Sequence, residues 1–194
     1  MGEEGIACVS RGSTVAISAR LNRGEPLANR ILRVDHGGEN GAVNIYKAQT
    51  LVCEWRAPDL VEELKSFRAH EERHRELFGA ELSARRVRQG LGYRFCGFGG
   101  YFLGLMTAMM GRSAVAATTC AIERVVLRHL REQMEYLREA DQKAFSIVSS
   151  IVAEEEMHHD QALKELRRGG FWPVVVDPVV AAATEFVIWI GMHR

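Results

Sequence analysis

The sequence predicts an all-α fold, and three observations carry that prediction. Apolar and small residues recur at helical spacing over long segments. Prolines and glycines fall between those segments. Strand-type alternation is missing throughout.

The first helix follows Pro26, a residue suited to an opening helical turn. Ile31, Gly38, Ala42, Ile45 and Tyr46 recur along it to about Trp55, and Pro58 marks the break. A second helix runs from about Asp59 to Gln89, with Leu64, Phe67, Phe78 and Leu82 as its inner stripe. Gly90, Gly92, Gly97, Gly99 and Gly100 predict a linker or an irregular helix start. A third helix extends from about Tyr101 to Glu139, irregular near Gly111. A fourth covers about Asp141 to Arg168 and is closed by Gly169 and Gly170. After Pro173 and Pro178, residues 179–192 form a fifth, apolar helix. Asn40-Gly41, a hairpin-type dipeptide, sits inside a helical pattern. Residues 1–24 are expected to form a flexible arm and residues 25–194 a single domain.

Composition narrows the function. Lys plus Arg and Asp plus Glu both total 25, so the formal net charge is zero. A nucleic-acid binder would carry a basic excess, and any membrane contact must rest on apolar area. Cys8, Cys53, Cys96 and Cys120 form no C-x-x-C pair and read as free thiols in a reducing compartment, mostly core filler. The N-terminal stretch does not read as a secretory signal, because Glu3 and Glu4 stand where positive charge belongs. Phe95 to Gly111 is a run of 17 uncharged residues. It is marginal for a membrane span, and fits either a buried core segment or a surface that meets a bilayer or a greasy substrate.

The chemistry lies in a duplicated pattern. Glu71-Glu72-Arg73-His74 and Glu155-Glu156-Met157-His158 each place a Glu and a His three apart, on one helix face. Either motif alone is common on solvated helices. The spacing makes the difference: Glu39 precedes Glu71 by 32 residues, and Glu123 precedes Glu155 by the same 32. Two copies of Glu … Glu-x-x-His, each spread over a helical hairpin, form the ligand set of the ferritin-like di-metal bundles. All six residues share faces with apolar neighbours, where unpaired charge would be prohibitive. Two divalent cations would neutralise four carboxylates, and the carboxylate-rich set favours iron over zinc, with manganese also suited. The expected architecture is therefore a ferritin-like four-helix bundle with an additional apolar C-terminal helix. Glu72, Glu154, Glu156, His70 and His159 should point away from the ions. Asp35, one turn before Glu39, is expected to orient a ligand histidine. Tyr46, His129 and Trp189 are further candidates for contact with the ligands or the substrate. Gly37 and Gly38 sit mid-helix and predict a close helix crossing or a channel.

The stretch Arg30-Ile31-Leu32-Arg33-Val34-Asp35-His36-Gly37-Gly38-Glu39-Asn40-Gly41-Ala42, with Ile45-Tyr46 and Gln49, resembles the demethoxyubiquinone hydroxylase family. So do Gly97-Phe98, Thr107-Ala108-Met109-Met110-Gly111, Ala121-Ile122-Glu123 and Glu154-Glu155-Glu156-Met157-His158-His159-Asp160. The resemblance spans roughly residues 28–192. It places the family's iron ligands on Glu39, Glu71, His74, Glu123, Glu155 and His158. It implies an O2-dependent monooxygenase with two iron ions that hydroxylates a polyprenyl demethoxyquinone ring. Electrons would come from NADH, directly or through a partner. It also implies peripheral attachment to a membrane: the cytoplasmic face of the inner membrane in a bacterium, the matrix side of the mitochondrial inner membrane in a eukaryote. Lipid-presenting or other quinone-biosynthesis proteins and a second copy of the chain are further partners to expect, nucleic acid is not. Two positions depart from the family pattern: Leu130 stands where a Tyr is common, and Asn40 stands where Tyr commonly follows the first glutamate. A ferritin-like ferroxidase or peroxidase, or a non-catalytic quinone-binding scaffold, are the rival readings.

Overall fold

The computed structural model describes residues 17–166 and 171–194. Its helices are α1 (Leu27–Arg56), a short 3-10 turn (Pro58–Leu60), α2 (Val61–Ala84), α3 (Leu91–Met110), α4 (Arg112–Ala140), α5 (Gln142–Leu166) and α6 (Pro173–His193). No strand occurs among the described residues. Residues 1–16 of the expected arm, Cys8 among them, and the predicted helix stop at Gly169 and Gly170 lie outside that range.

Two hairpins, α1–α2 and α4–α5, make the four-helix bundle. The chain turns between α1 and α2 at Pro58, and between α4 and α5 at Asp141. The Asp141 carboxylate accepts from the Ala144 backbone N–H at 3.0 Å, capping the first turn of α5. Two apolar clusters fill the bundle. One gathers Leu27, Ile31, Leu32, Phe78, Leu82, Leu130, Leu137, Val148 and Ile151. The other gathers Tyr46, Val52, Leu64, Phe67, Ala108 and Val115. Each large side chain so buried contributes about 1.5–3 kcal/mol. The chain positions 39, 71, 74 and 123 fall between those of the two clusters on α1, α2 and α4, so the polar residues form a belt across the middle of the core.

Of the two readings of the glycine-rich segment, a linker or a helix start, the second is found: it is the first half of α3. Its glycines are spent on approach rather than on flexibility. A Cβ on Gly100 would stand 2.3 Å from the Gly41 carbonyl oxygen, and one on Gly104 would stand 2.4 Å from the Ile45 carbonyl oxygen. α3 therefore lies backbone to backbone on α1. The predicted long third helix is in fact two, broken at Gly111, whose φ of 102° suits glycine. The last helix starts earlier than expected, at Pro173, and carries Pro178 inside it.

The faces of α3 and α6 that turn from the bundle are apolar. Leu91, Phe95, Phe98, Phe102, Met106 and Met109 are exposed on α3; Val174, Val179, Phe186, Val187 and Trp189 are exposed on α6. Of the two readings of the Phe95–Gly111 run, the surface one matches this exposure. α6 is long and apolar enough to cross a membrane by length and composition, with a mean hydropathy of 1.8. Its acids are nonetheless committed to the bundle. Asp177 pairs with Arg124 at 2.9 Å, and Glu185 pairs with Arg128 and with His129.

Candidate metal centre

The bundle brings all six predicted ligand side chains together. α1 contributes Glu39, α2 contributes Glu71 and His74, α4 contributes Glu123, and α5 contributes Glu155 and His158. Glu39 is 7 % exposed and the other five at most 2 %. His74 Nδ1 lies 3.0 Å from Glu155 Oε1 and 3.8 Å from both Glu39 Oε2 and Glu71 Oε2. His158 Nδ1 lies 3.2 Å from Glu71 Oε1 and 3.5 Å from Glu155 Oε2.

These atoms fall into two overlapping groups: Glu39, Glu71, His74 and Glu155, and Glu71, Glu123, Glu155 and His158. Within each group one donor atom per residue lies within 4.8 Å of the others. Glu71 and Glu155 belong to both. The local reason is helical phase, since residues three apart on α2 and on α5 face the same way.

The electrostatics show what the cluster lacks. Burial, followed by the neighbouring carboxylates Glu71 and Glu155, pushes the Glu39 and Glu123 carboxyls well above the ordinary range. Burial would also raise Glu71, but its close approach to the His158 and His74 imidazoles outweighs that and holds it down. The imidazoles follow the same balance. Burial alone would lower them, but the nearby Glu155 and Glu71 carboxylates lift His74 to about 10 and His158 to about 9. Four carboxylates against two imidazoles leave an excess of buried negative charge. His74 Nδ1, His158 Nδ1 and Glu71 Oε1 are buried without a hydrogen-bond partner. These inward-facing nitrogen and oxygen atoms, in a carboxylate-rich set with two imidazoles, fit a pair of divalent cations that would displace the imidazole protons.

Around the cluster the structure corrects several expectations. Asp35 does not reach a histidine: its Oδ1 accepts from Gln133 Nε2 at 2.9 Å, and burial raises its carboxyl to about 7. The outer nitrogens of the two histidines are instead held by residues expected to point away. His74 Nε2 lies 2.6 Å from Glu154 Oε2, and His158 Nε2 lies 3.0 Å from His70 Nδ1. Helical phase does carry Glu154 about 100° off the ions. It carries it toward α2, where His74 presents its far side, and only the docking of α5 on α2 discloses that. Tyr46 donates to Glu123 Oε1 at 3.0 Å. His129 is placed away from the cluster, between Glu132 and Glu185 on the α4–α6 surface. Trp189 is exposed and stacks on Phe186 and His193. Gly38 borders Glu39, is exposed, and has no atom within 4 Å of where a Cβ would be. Of the two explanations for mid-helix glycines, the α3 crossing accounts for Gly37, whose Cβ would be 3.7 Å from the Tyr93 nitrogen, and open space accounts for Gly38.

Similarity to known proteins agrees with this centre. Residues 26–191 match the family described as ubiquinone biosynthesis protein COQ7. The chain is 32 % identical over 166 residues to the Rhodospirillum rubrum protein named 3-demethoxyubiquinol 3-hydroxylase, covering 85 % of this chain and 77 % of that one. It is 31 % identical over 162 residues to the Mus musculus protein named NADPH-dependent 3-demethoxyubiquinone 3-hydroxylase, mitochondrial, covering 81 % and 71 %. The Saccharomyces cerevisiae 5-demethoxyubiquinone hydroxylase, also named mitochondrial, is 35 % identical over 109 residues, covering 56 % and 47 %. With its motifs, its helices and a match over nearly all its described length, the chain belongs to the ubiquinone biosynthesis protein COQ7 family.

Proposed function

We propose that this protein is a di-iron monooxygenase that hydroxylates the ring of a demethoxyubiquinone-type polyprenyl quinone, with O2 as oxygen source. The observation that carries the reading is the pair of four-residue groups joined through Glu71 and Glu155, in a chain whose relatives are named for hydroxylating that ring. Glu39 and His74 would hold one iron, Glu123 and His158 the other, and Glu71 and Glu155 both. When bound, the iron pair supplies activation of O2.

The chain supplies the surroundings. Tyr46 fixes the Glu123 carboxylate by its hydrogen bond. The apolar clusters on either side exclude water from all but the Glu39 edge. In the balanced reaction one atom of O2 enters a ring C–H bond and the other leaves as water, with two electrons and two protons consumed. A reduced nicotinamide supplies the electrons, directly or through a partner. The mouse relative's name specifies NADPH, where the sequence reading expected NADH.

The exposed faces of α3 and α6 support peripheral attachment to the membrane that holds the quinone. Exposed apolar faces of this kind mark an interaction surface, and a storage ferroxidase would have no need of one. The paired Asp177 and Glu185 tie α6 along the bundle, which supports a helix lying in the interface rather than spanning it. The test is mass spectrometry of quinones in cells lacking the protein, joined to turnover of the iron-loaded protein under isotopically labelled O2. Accumulation of a demethoxyquinone, and label in the new hydroxyl, are the expected results. An unchanged quinone pool and iron oxidation without a labelled ring product would overturn the proposal in favour of a ferroxidase.

A further inference from the structure

The two halves of the site come from a repeated motif, yet the repeat is broken immediately before its glutamate. The residue before the first motif glutamate is His70; the residue before its counterpart is Glu154. Each reaches across the α2–α5 contact to the outer nitrogen of the opposite histidine. Glu154 Oε2 stands 2.6 Å from His74 Nε2, and His70 Nδ1 stands 3.0 Å from His158 Nε2. The same place in the fold thus holds a carboxylate behind one ligand histidine and an imidazole behind the other.

We propose that Glu154 is a positioning residue that makes the His74 side of the centre bind its metal ion first and more tightly, while His70 leaves the His158 side weaker. The inference rests on the metal-pair reading above. An ionised carboxylate can only accept, so His74 keeps its Nε2 proton and it is the inward Nδ1 proton that gives way to an ion. The carboxylate also makes that imidazole a stronger donor. Arg73 grips the same Glu154 carboxylate and holds it over α2. An imidazole can play either part. When His158 Nε2 donates to His70 Nδ1, His158 is ready to bind an ion. When His70 Nδ1 donates instead, the His158 proton moves to Nδ1 and blocks the inward lone pair. The His158 half must therefore select one of two hydrogen-bond arrangements before it binds, and that selection weakens it.

The experiment is an anaerobic titration of the metal-free full chain with Fe(II), with Co(II) as a spectroscopic probe, helicity being followed throughout. Wild type should bind two ions in two events, the first about ten- to a hundredfold the tighter, which is the range for such supporting partners. His158→Ala should keep the tight event and His74→Ala should lose it. Glu154→Gln, whose amide can both donate and accept, should loosen the first event until the two merge. His70→Glu should tighten the second and close the gap from the other side. Arg73→Gln, which keeps the Glu154 carboxylate but loses its restraint, should narrow the gap less than Glu154→Gln does. Two ions bound with equal affinity in wild type, or a tight event that survives Glu154→Gln, would overturn the inference and leave the metal pair standing. A wild-type chain that binds no ion at all would overturn the metal-pair reading itself. If Glu154→Gln does not fold, His70→Glu decides: an unchanged gap between the two events overturns the inference.

Discussion

Tyr46 and Glu123 lie 77 residues apart in the chain and meet inside the bundle, where the phenol donates to the carboxylate at 3.0 Å. The tyrosine is 2 % exposed, so no solvent can replace it. Tyr46→Phe should leave one Glu123 oxygen without its donor. A hydrogen bond to a charged group is worth about 1.5–3 kcal/mol, so quinone hydroxylation should fall roughly tenfold or more while helicity is kept. Product formation and metal content measured side by side check this. Wild-type rates would show that Glu123 needs no such restraint.

Glu155 and its neighbour Glu156 should separate sharply. Glu155 stands in both groups of ligand atoms, whereas Glu156 pairs with Arg131 at the surface. Glu155→Ala should abolish oxygenation and lower metal content; His158→Ala should do the same. Glu156→Ala should stay near wild type, since exposed ion pairs contribute about 0–1 kcal/mol. Equal severity at 155 and 156 would mean that the metal lies on another face of α5.

Two glycines on adjacent helices should respond in opposite directions. Gly38→Ala adds a methyl group to open space and gains helix propensity of about 1 kcal/mol. In a chain of this size that is a rise of roughly 2–4 °C in Tm. Gly100→Ala drives a methyl group into the Gly41 backbone and should lower stability by about 1–3 kcal/mol. Calorimetry of the two variants reads both signs at once.

The apolar faces can be tested on vesicles. Liposome flotation of wild type should depend little on salt, because the net charge is zero and screening acts on charge. Phe102→Glu and Trp189→Glu, both at exposed positions, should each weaken binding without lowering Tm. Binding abolished by salt, or indifferent to both substitutions, would show that these faces serve something other than a bilayer.

Asp141 gives the pH dependence of stability a defined component. It takes a paired hydrogen bond from Arg85, at 2.5 and 3.0 Å, and caps α5. The Arg85 guanidinium is the main cause that holds its carboxyl below the usual value. A carboxyl depressed by folding stabilises above its unfolded value, near 4, and that contribution disappears as pH falls through the folded value. Asp141→Asn should cost about 1–2 kcal/mol near neutrality. The gap between variant and wild type should close in denaturant titrations run below pH 4. Because Asn caps a helix as well as Asp does, a gap independent of pH would show that the carboxylate charge is not its source.

The sequence exposed the six clustered residues because they obey two rules visible in one dimension, a three-residue step on a helix and a repeat of 32 residues. Helix α1 was equally legible, bracketed by Pro26 and Pro58. The first half of α3 was not. Its glycines read as breaks because glycine is a poor helix former, and the compensation, a backbone contact with Gly41 and Ile45, is tertiary. Glu154 and His70 were hidden for the same reason: their phase on their own helix is correct, and their partners belong to another. Asp35 was misread in the opposite sense, being near in sequence to Glu39 yet directed at Gln133 on α4.

The sharing of Glu71 and Glu155 has a mechanical side. Each of the two groups of candidate ligands draws three residues from one hairpin and the fourth from the other. The helices within a hairpin touch far more extensively than the two hairpins touch each other. Metal loading thus fastens the seam where the bundle is thinnest, with two reciprocal fasteners set side by side. Stripping the metal should loosen the α2–α5 seam first and leave each hairpin standing, and amide exchange there would register the loss well before helicity does.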